Sequence, residues 1–97
     1  PLCQKSLELD PKSYPAYDSL GYVYSGMEQY DKAVENFENA LKINNKIGEI
    51  YFHLAQALQD KGSYTDAITN YQIALKLDKK YKSESLKGIK FCRKNIK

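Results

Sequence analysis

The chain has 97 residues and a nearly balanced charge, with 15 Lys and Arg against 12 Asp and Glu, so it has the size of one small domain. Its apolar runs are far shorter than the roughly 20 residues that cross a bilayer, which excludes a membrane-spanning helix. The two cysteines, Cys3 and Cys92, share no metal-ligand or redox spacing, and we expect a reduced, intracellular (cytoplasmic) setting.

Apolar residues recur at helical spacing along almost the whole chain, and no segment alternates like a strand. The predicted helices span residues 1–9, 14–27, 30–43, 48–61, 64–77 and 82–96. Glycine-containing sequences at 26–30 and 61–65 supply tight turns, and Pro11 ends the first helix. Because the chain opens with Pro1 inside a helical pattern, we interpret it as a piece of a longer protein.

The helical pattern repeats after 34 residues. The segment DKAVENFENALKIN at 31–44 returns as TDAITNYQIALKLD at 65–78, with apolar positions kept in place. Comparing the sequence with itself at an offset of 34 residues divides the chain into repeat units. The predicted units are the end of a preceding repeat's second helix with its linker at 1–13, complete repeats at 14–47 and 48–81, and a last segment at 82–97.

Small residues occupy places in the apolar stripes where a solitary helix would favour Leu. They are Gly21, Ala33, Ala40, Ala55, Ala67 and Ala74. Short side chains let two helix axes approach closely, and large neighbours such as Phe37 fill the space beside them. A single hairpin of this kind cannot cover its own apolar face, so we expect consecutive hairpins to stack.

This pattern resembles the tetratricopeptide repeat. The residues that carry the resemblance are Tyr17, Leu20, Gly21 and Tyr24, then Ala33, Phe37 and Ala40, with Pro11 closing the preceding copy. Tyr17 and Tyr51 stand where that pattern often has Trp. The resemblance implies an all-α fold of antiparallel helix hairpins stacked as a right-handed α-solenoid. It also implies that the first helix of each repeat lines a concave groove that holds a peptide or partner helix.

Residues 82–97 depart from the repeat pattern, because Ile89 stands where the two copies have a small residue. Leu86, Ile89, Cys92 and Ile96 still fall on one side of a helix. This segment carries six Lys and Arg against one acidic residue, whereas residues 1–81 carry nine against eleven. It is either the first helix of a diverged third repeat or a capping helix, and we favour the cap because a terminal helix needs a charged outer side.

No residue of the chain is assigned to catalysis. His53, the only histidine, has Glu49 one turn away but no nucleophile at helical spacing, and we interpret it as a surface residue. Cys3 and Cys92 are interpreted as small buried apolar residues rather than reactive thiols. We therefore expect no enzymatic activity, no cofactor, no metal and no small-molecule substrate.

The resemblance assigns recognition to first-helix residues that lie off the apolar stripe. The predicted groove residues are Asp18, Tyr22, Phe52, His53, Gln56, Lys87 and Lys90. Tyr22 and Phe52 stand out, because aromatic residues away from the packing stripe are favoured as interface anchors. The alternative is that both rings pack against the neighbouring repeat. The Lys and Asn set with which some relatives clamp a C-terminal carboxylate is not assembled here, and Asp18 or Glu49 would repel such a group.

The sequence therefore predicts a protein–protein interaction module, of the scaffold or adaptor type, with a protein or peptide partner. The alternative is the non-catalytic, partner-selecting repeat region of a larger enzyme of the isomerase or glycosyltransferase type. A weaker alternative has the basic end touching RNA or acidic lipid, although we favour neither nucleic acid nor membrane as a partner. We also expect self-association through residues 1–13 and the adjoining face of 14–43, because the apolar side that carries Cys3, Leu7 and Leu9 lacks a cover.

Overall fold

The computed structural model describes residues 14–96. In chain order the elements are α1 (Tyr14–Gly26), α2 (Tyr30–Ile43), α3 (Gly48–Lys61), α4 (Tyr64–Leu77), a 3₁₀ turn (Lys79–Tyr81) and α5 (Lys82–Asn95). The five helices predicted in this range are confirmed, since each begins at the predicted residue and ends within one residue of its predicted end. The helix predicted over 1–9 lies outside the described residues, as does the proposed contact surface at 1–13.

The helices are joined as hairpins that stack on one another. α1 packs on α2 and α3 packs on α4, while α2 contacts α3 and α4 contacts α5 between the hairpins. The contacts of α3 with α1 and α5 are much lighter. The first helices α1, α3 and α5 therefore form one layer and the second helices α2 and α4 form the other. The surface of α1, α3 and α5 that faces away from the second helices is called the first-helix face below.

This arrangement is the predicted all-α stack of helix hairpins, and within residues 14–96 it contains no strand. No helix in that range combines the length and apolar character needed to cross a membrane.

Small side chains lie at the helix contacts, as predicted from the apolar stripes. Ala33, Ala40, Ala55, Ala67 and Ala74 are all 0% exposed. At Gly21 an added β-carbon would lie 2.8 Å from the ring of Phe37, closer than two such carbons approach without a shift. Because Phe37 is itself buried, its ring has no space to withdraw into. The close approach of α1 to α2 therefore depends on the missing side chain at Gly21.

The middle first helix, α3, is buried on more sides than the sequence indicated. The predicted stripe of Leu54, Ala55 and Leu58 is buried, but the structure also buries Ile50 and Ala57. The physical reason is position in the stack, because α3 packs against both α2 and α4 and also meets α1 and α5. A helix with four neighbours has little solvent-facing surface, even when its sequence looks amphipathic.

The last helix, α5, packs on α4 with a different side from the one predicted. Ile89 and Cys92 are buried as expected, but Leu86 and Ile96 are 49% and 43% exposed, so that part of the prediction is wrong. The cause is Gly88, where an added β-carbon would lie 2.4 Å from the ring of Tyr71. The glycine brings this side of α5 onto α4 and turns Leu86 outward.

Cys92 behaves as the sequence suggested, because burial raises the pKa of its thiol and keeps it in the unreactive protonated form. α5 occupies the place of a first helix in the stack. Its role as a cap stays a prediction.

The turns inside the two complete hairpins have the same geometry with different residues. At the end of α3, Gly62 adopts a left-handed conformation (φ 97) and the Ser63 amide donates to the Leu58 carbonyl at 2.8 Å. At the end of α1, Glu28 takes the left-handed place (φ 61) and the Gln29 amide donates to the carbonyl five residues before it at 2.9 Å. A residue with a side chain is strained in this conformation, which favours glycine. Glu28 at this position therefore lowers the stability of the protein.

Glu28→Gly is expected to stabilise the protein by about 0.5–1 kcal/mol, because relief of the left-handed strain exceeds the extra chain entropy of glycine. The reciprocal change, Gly62→Ala, should destabilise it by a similar amount. Urea unfolding of both variants measures the two effects. A loss of stability in Glu28→Gly would contradict the strain assigned to this turn.

Gly88→Ala is expected to destabilise the protein by about 1–3 kcal/mol, because the new methyl group would overlap the buried ring of Tyr71. Helix propensity alone predicts the opposite sign, since alanine favours a helix over glycine by about 1 kcal/mol. Gly26→Ala is the matched control, because a β-carbon there meets nothing within 4 Å. Thermal unfolding should show a lower midpoint only for Gly88→Ala, and equal midpoints would rule out the close contact.

Candidate functional site

One exposed residue from each first helix forms a row across the first-helix face. Tyr22, Gln56 and Lys90 stand at equivalent positions of α1, α3 and α5, separated by the 34-residue repeat, and all three are exposed. Tyr22 is 64% exposed, which is unusual for a large aromatic side chain. These three predicted groove residues are thus exposed, and their role in binding stays a prediction.

A cluster of ionisable side chains joins α1 to α3 on this face. Nδ1 of His53 lies 3.0 Å from Oδ1 of Asp18, and their side chains are 18% and 17% exposed. The carboxylate of Glu49 completes the group, and the ligand atoms of the three residues lie within 4.8 Å of one another. His53 is therefore partly buried, and not the freely exposed surface residue that the sequence suggested. Its hydrogen-bond partner is Asp18 of the preceding repeat, whereas the sequence suggested Glu49.

Aromatic rings surround His53 on its remaining sides. The ring centroids of Tyr22, Phe37 and Phe52 lie 5.5, 5.8 and 6.2 Å from that of His53. Activation of a nucleophile by histidine requires a hydroxyl or thiol within hydrogen-bond reach. In the part of the chain that the structure describes, the only hydrogen bond of the imidazole is with Asp18. The geometry of the cluster thus favours a structural link between repeats.

Tyr81 is a member of this face that the sequence did not identify. Its hydroxyl donates to Oε2 of Glu49 at 2.6 Å, and this hydrogen bond, with burial as a second cause, raises the pKa of Tyr81 to about 12. Its ring stacks on Phe52 with the centroids 4.7 Å apart. The 3₁₀ turn positions Tyr81, because the Asp78 side chain accepts a hydrogen bond from the Lys80 amide at 3.0 Å. Asp78 is a turn signal that the sequence shows. The hydrogen bond between Tyr81 and Glu49, however, joins distant parts of the chain and is not visible in the local sequence.

Phe52 lies inside the protein rather than on its surface. It is 5% exposed, and its ring is flanked by Tyr81 and by Tyr71, whose centroid is 5.9 Å away. The expectation that Phe52 is exposed is therefore wrong; its ring packs, but against rings of its own repeat and not of the neighbouring repeat named in the alternative. Tyr22 is the residue of this pair that stays exposed. The sequence could not separate the two, because the ring that covers Phe52 comes from the irregular segment after α4.

An open depression of about 400 Å³ lies between α3 and α5. The buried rings of Phe52 and Tyr71 form its floor, and the exposed side chains of Gln56, Lys87 and Phe91 contribute to its rim. The Tyr71 hydroxyl donates to Oε1 of Gln59 at 2.8 Å, so the polar atom at the floor is satisfied. An apolar floor with a polar rim is the usual form of a pocket for a single side chain.

The predicted groove residues thus fall into three places. Phe52, Gln56 and Lys87 meet in the depression, while Asp18, Tyr22 and His53 form the cluster between α1 and α3. Lys90 lines a separate depression of about 390 Å³ on α5, together with Leu86 and Arg93.

The cluster of Asp18, Glu49 and His53 offers one imidazole and two carboxylates, a donor set that divalent transition-metal ions accept. One polar atom of each residue already has a protein partner, however. Asp18 and His53 bond to each other through Oδ1 and Nδ1, and Oε2 of Glu49 accepts from the Tyr81 hydroxyl. These hydrogen bonds hold the cluster together without an ion, and we assign it no metal.

Stacked hairpins with a 34-residue period and small residues at the helix contacts define a helical-repeat protein. The tetratricopeptide repeat pattern matches residues 2–35 and again residues 48–81, which together are more than half of the chain. The chain belongs to the tetratricopeptide repeat family. Repeats of this family form protein-interaction modules.

Three known proteins illustrate this similarity. The chain is 32% identical over 62 residues to small glutamine-rich tetratricopeptide repeat-containing protein 2 of Mycosarcoma maydis. The aligned residues make up 64% of this chain and 18% of that protein. A crystal structure of MamA superposes with a TM-score of 0.88 at 20% identity, covering 96% of this chain and 50% of MamA.

The third is the Yersinia enterocolitica type III secretion chaperone SycD, solved in complex with a peptide of the translocator YopD. It gives a TM-score of 0.87 at 22% identity, covering 94% of this chain and 74% of SycD. The chain spans less than two thirds of the length of the Mycosarcoma protein and of MamA. The two structural similarities show a shared fold.

Phe52→Ala is expected to destabilise the protein by about 3–5 kcal/mol, because it removes a buried ring and leaves a cavity beside Tyr81. Tyr22→Ala removes an exposed ring and should change the stability by less than about 1 kcal/mol. Urea unfolding followed by circular dichroism compares the two variants. If Phe52→Ala does not fold, Phe52→Leu gives a smaller, measurable loss. Equal effects at positions 22 and 52 would contradict the burial of Phe52.

Proposed function

We propose that the first-helix face binds an extended peptide or a helix of a partner protein, and that the chain serves as a scaffold or adaptor module. The observation that carries this proposal is the 64% exposure of Tyr22 on a face that also contains an open depression with an aromatic floor. A large aromatic side chain gains free energy when a partner removes it from water, and tyrosine can also keep a hydrogen bond at its hydroxyl.

The distribution of exposed apolar residues favours this face over the opposite one. The first helices α1 and α5 expose Tyr22, Leu86 and Phe91 within their length. The second helices expose large apolar residues only at their last positions, Ile43 and Leu77. Exposed apolar groups that cluster on one side of a protein are typical of an interaction surface.

A larger depression, about 500 Å³, lies on the opposite side between α2 and α4. Charged side chains of both signs line it, including Glu38, Lys42 and Asp66, and its apolar members Leu54 and Leu58 are buried. The residues that line it therefore include no large exposed apolar anchor. For this reason the proposal concerns the first-helix face.

The complex of SycD with a YopD peptide supports the proposal that a chain of this fold can hold a peptide. At 22% identity the similarity is one of fold, so the place of that peptide is not transferred to this chain. The residues of the first-helix face supply their own argument. Gln56 offers an exposed amide that can donate to and accept from a peptide backbone.

The charge of Asp18 and Glu49 also limits the kind of ligand. Both carboxylates are only partly exposed, where charges interact more strongly than in water. An approaching C-terminal carboxylate would be repelled by both, so this end of the face should not recognise a chain terminus. We therefore propose that the C-terminus of a partner does not bind at this end of the face.

The proposal is tested by selecting peptides from a synthetic library on the immobilised protein and measuring their Kd by fluorescence anisotropy. Tyr22→Ala should weaken the selected peptides at least about fivefold, the effect of losing an aromatic anchor worth about 1 kcal/mol. Met27→Ala is the matched control, because Met27 is 51% exposed but lies in the turn after α1. A library without binders, or equal binding by parent and Tyr22→Ala, would refute the proposal.

A further inference from the structure

Two carboxylates, those of Asp18 and Glu49, lie at one end of the first-helix face. Asp18 is paired only with His53, and Glu49 accepts a hydrogen bond from the neutral Tyr81 hydroxyl. Among the residues that the structure describes, neither carboxylate forms an ion pair with a lysine or arginine. The junction of α1 and α3 is therefore an acidic end of the face.

The other end of the face is basic. Lys87, Lys90 and Lys94 follow one another at spacings of three and four residues, which places them on the same side of α5. All three are exposed, and within residues 14–96 none of them forms an ion pair. Glu84 is the only acidic residue in the segment 82–97, which carries six Lys and Arg.

Neutral residues separate the two ends. The depression between α3 and α5 is lined on the α3 side by Phe52, Gln56 and Gln59, none of which carries a charge. The prevailing charge of the face therefore changes from acidic at the α1–α3 junction to basic on α5, with an apolar-floored pocket, lined on the α5 side by Glu84 as well as Lys87, near the change. Protein interfaces bring opposite potentials together, which selects partners more than it adds affinity.

We infer that the segment bound on this face carries a basic side chain at the Asp18 and Glu49 end and acidic side chains at the Lys87 and Lys90 end. This inference rests on the proposed function and specifies its ligand. Arginine suits the first position, because its guanidinium can pair with a carboxylate while stacking on the exposed ring of Tyr22. A single apolar side chain between the charges would enter the depression.

Helix spacing sets the distance between the charges. Neighbouring packed helices lie about 8–10 Å apart, and the first helices contact one another more lightly, so the two steps from α1 through α3 to α5 cover about 20 Å or more. An extended peptide advances about 3.3 Å per residue. The basic and acidic side chains of the ligand are therefore about six residues apart.

The test uses fluorescein-labelled peptides of about 12 residues with one apolar central residue and four charges. In the first peptide two Arg and two Glu are segregated about six residues apart, and in its isomer the same four residues alternate. Two further peptides carry four Arg or four Glu. A peptide can cross the face in either direction, so each sequence is also made reversed and the tighter of the two is used. The segregated peptide should bind about tenfold more tightly than the others at low salt, since several exposed ion pairs each contribute a few-fold.

A charge reversal on the protein sharpens the test. Lys87→Glu combined with Lys90→Glu changes two exposed side chains and should shift the preference by about tenfold toward the four-Arg peptide. The matched control is Lys42→Glu with Lys76→Glu, which makes the same change of charge at exposed positions of α2 and α4. This control should keep the preference of the parent.

The outcomes separate the inference from the proposed function. Equal binding of the segregated peptide and its alternating isomer overturns the inference, and so does a library-selected peptide that lacks segregated charges. In both cases the binding face itself is upheld. If no probe binds and the library also yields no peptide, the proposed function fails and the inference fails with it.

Discussion

The stack of helices depends on aromatic rings of the second helices that lie against glycines of the first helices. Phe37 contacts Gly21 in its own hairpin, where a β-carbon would come within 2.8 Å of the ring. Tyr71 contacts Gly88 in the following helix, where the distance would be 2.4 Å. The same kind of contact therefore closes a hairpin in one case and joins two successive units in the other. Since the rings are buried, both junctions fix the distance between helix axes.

The fixed distance between helix axes also determines how the first helices present their side chains on the first-helix face. With α2 and α4 covering one side of the first helices, the side chains on the other side are held at a repeat distance, as the row of Tyr22, Gln56 and Lys90 shows. The hydrogen bond between His53 and Asp18 ties two of these helices together at the surface itself. A rigid row of side chains suits recognition of an extended chain, because the protein loses little entropy when the ligand binds.

The sequence predicted the helices almost to the residue, because hydrophobic periodicity and turn composition are local properties. It could not predict features that depend on contacts between residues far apart in the chain. The Asp18 partner of His53 is 35 residues away, and the ring that covers Phe52 comes from a 3₁₀ turn with no apolar periodicity. The sequence also did not identify the strained residue of the first turn. Gly26 is the glycine of that turn, but Glu28 adopts the left-handed conformation.

Burial of Phe52 changes the way in which this face can recognise a ligand. A buried ring serves as the floor of a depression, where it excludes water and accepts an apolar side chain, but it cannot project into a partner as an anchor. The side chains that do project include the rings of Tyr22 and Phe91 and a set of charges. Exposed charges add little affinity and are screened by salt, yet they penalise a ligand of the wrong charge order. If a peptide binds this face as proposed, its selectivity would come from the order of charges along the ligand, and its affinity from Tyr22 and the depression between α3 and α5.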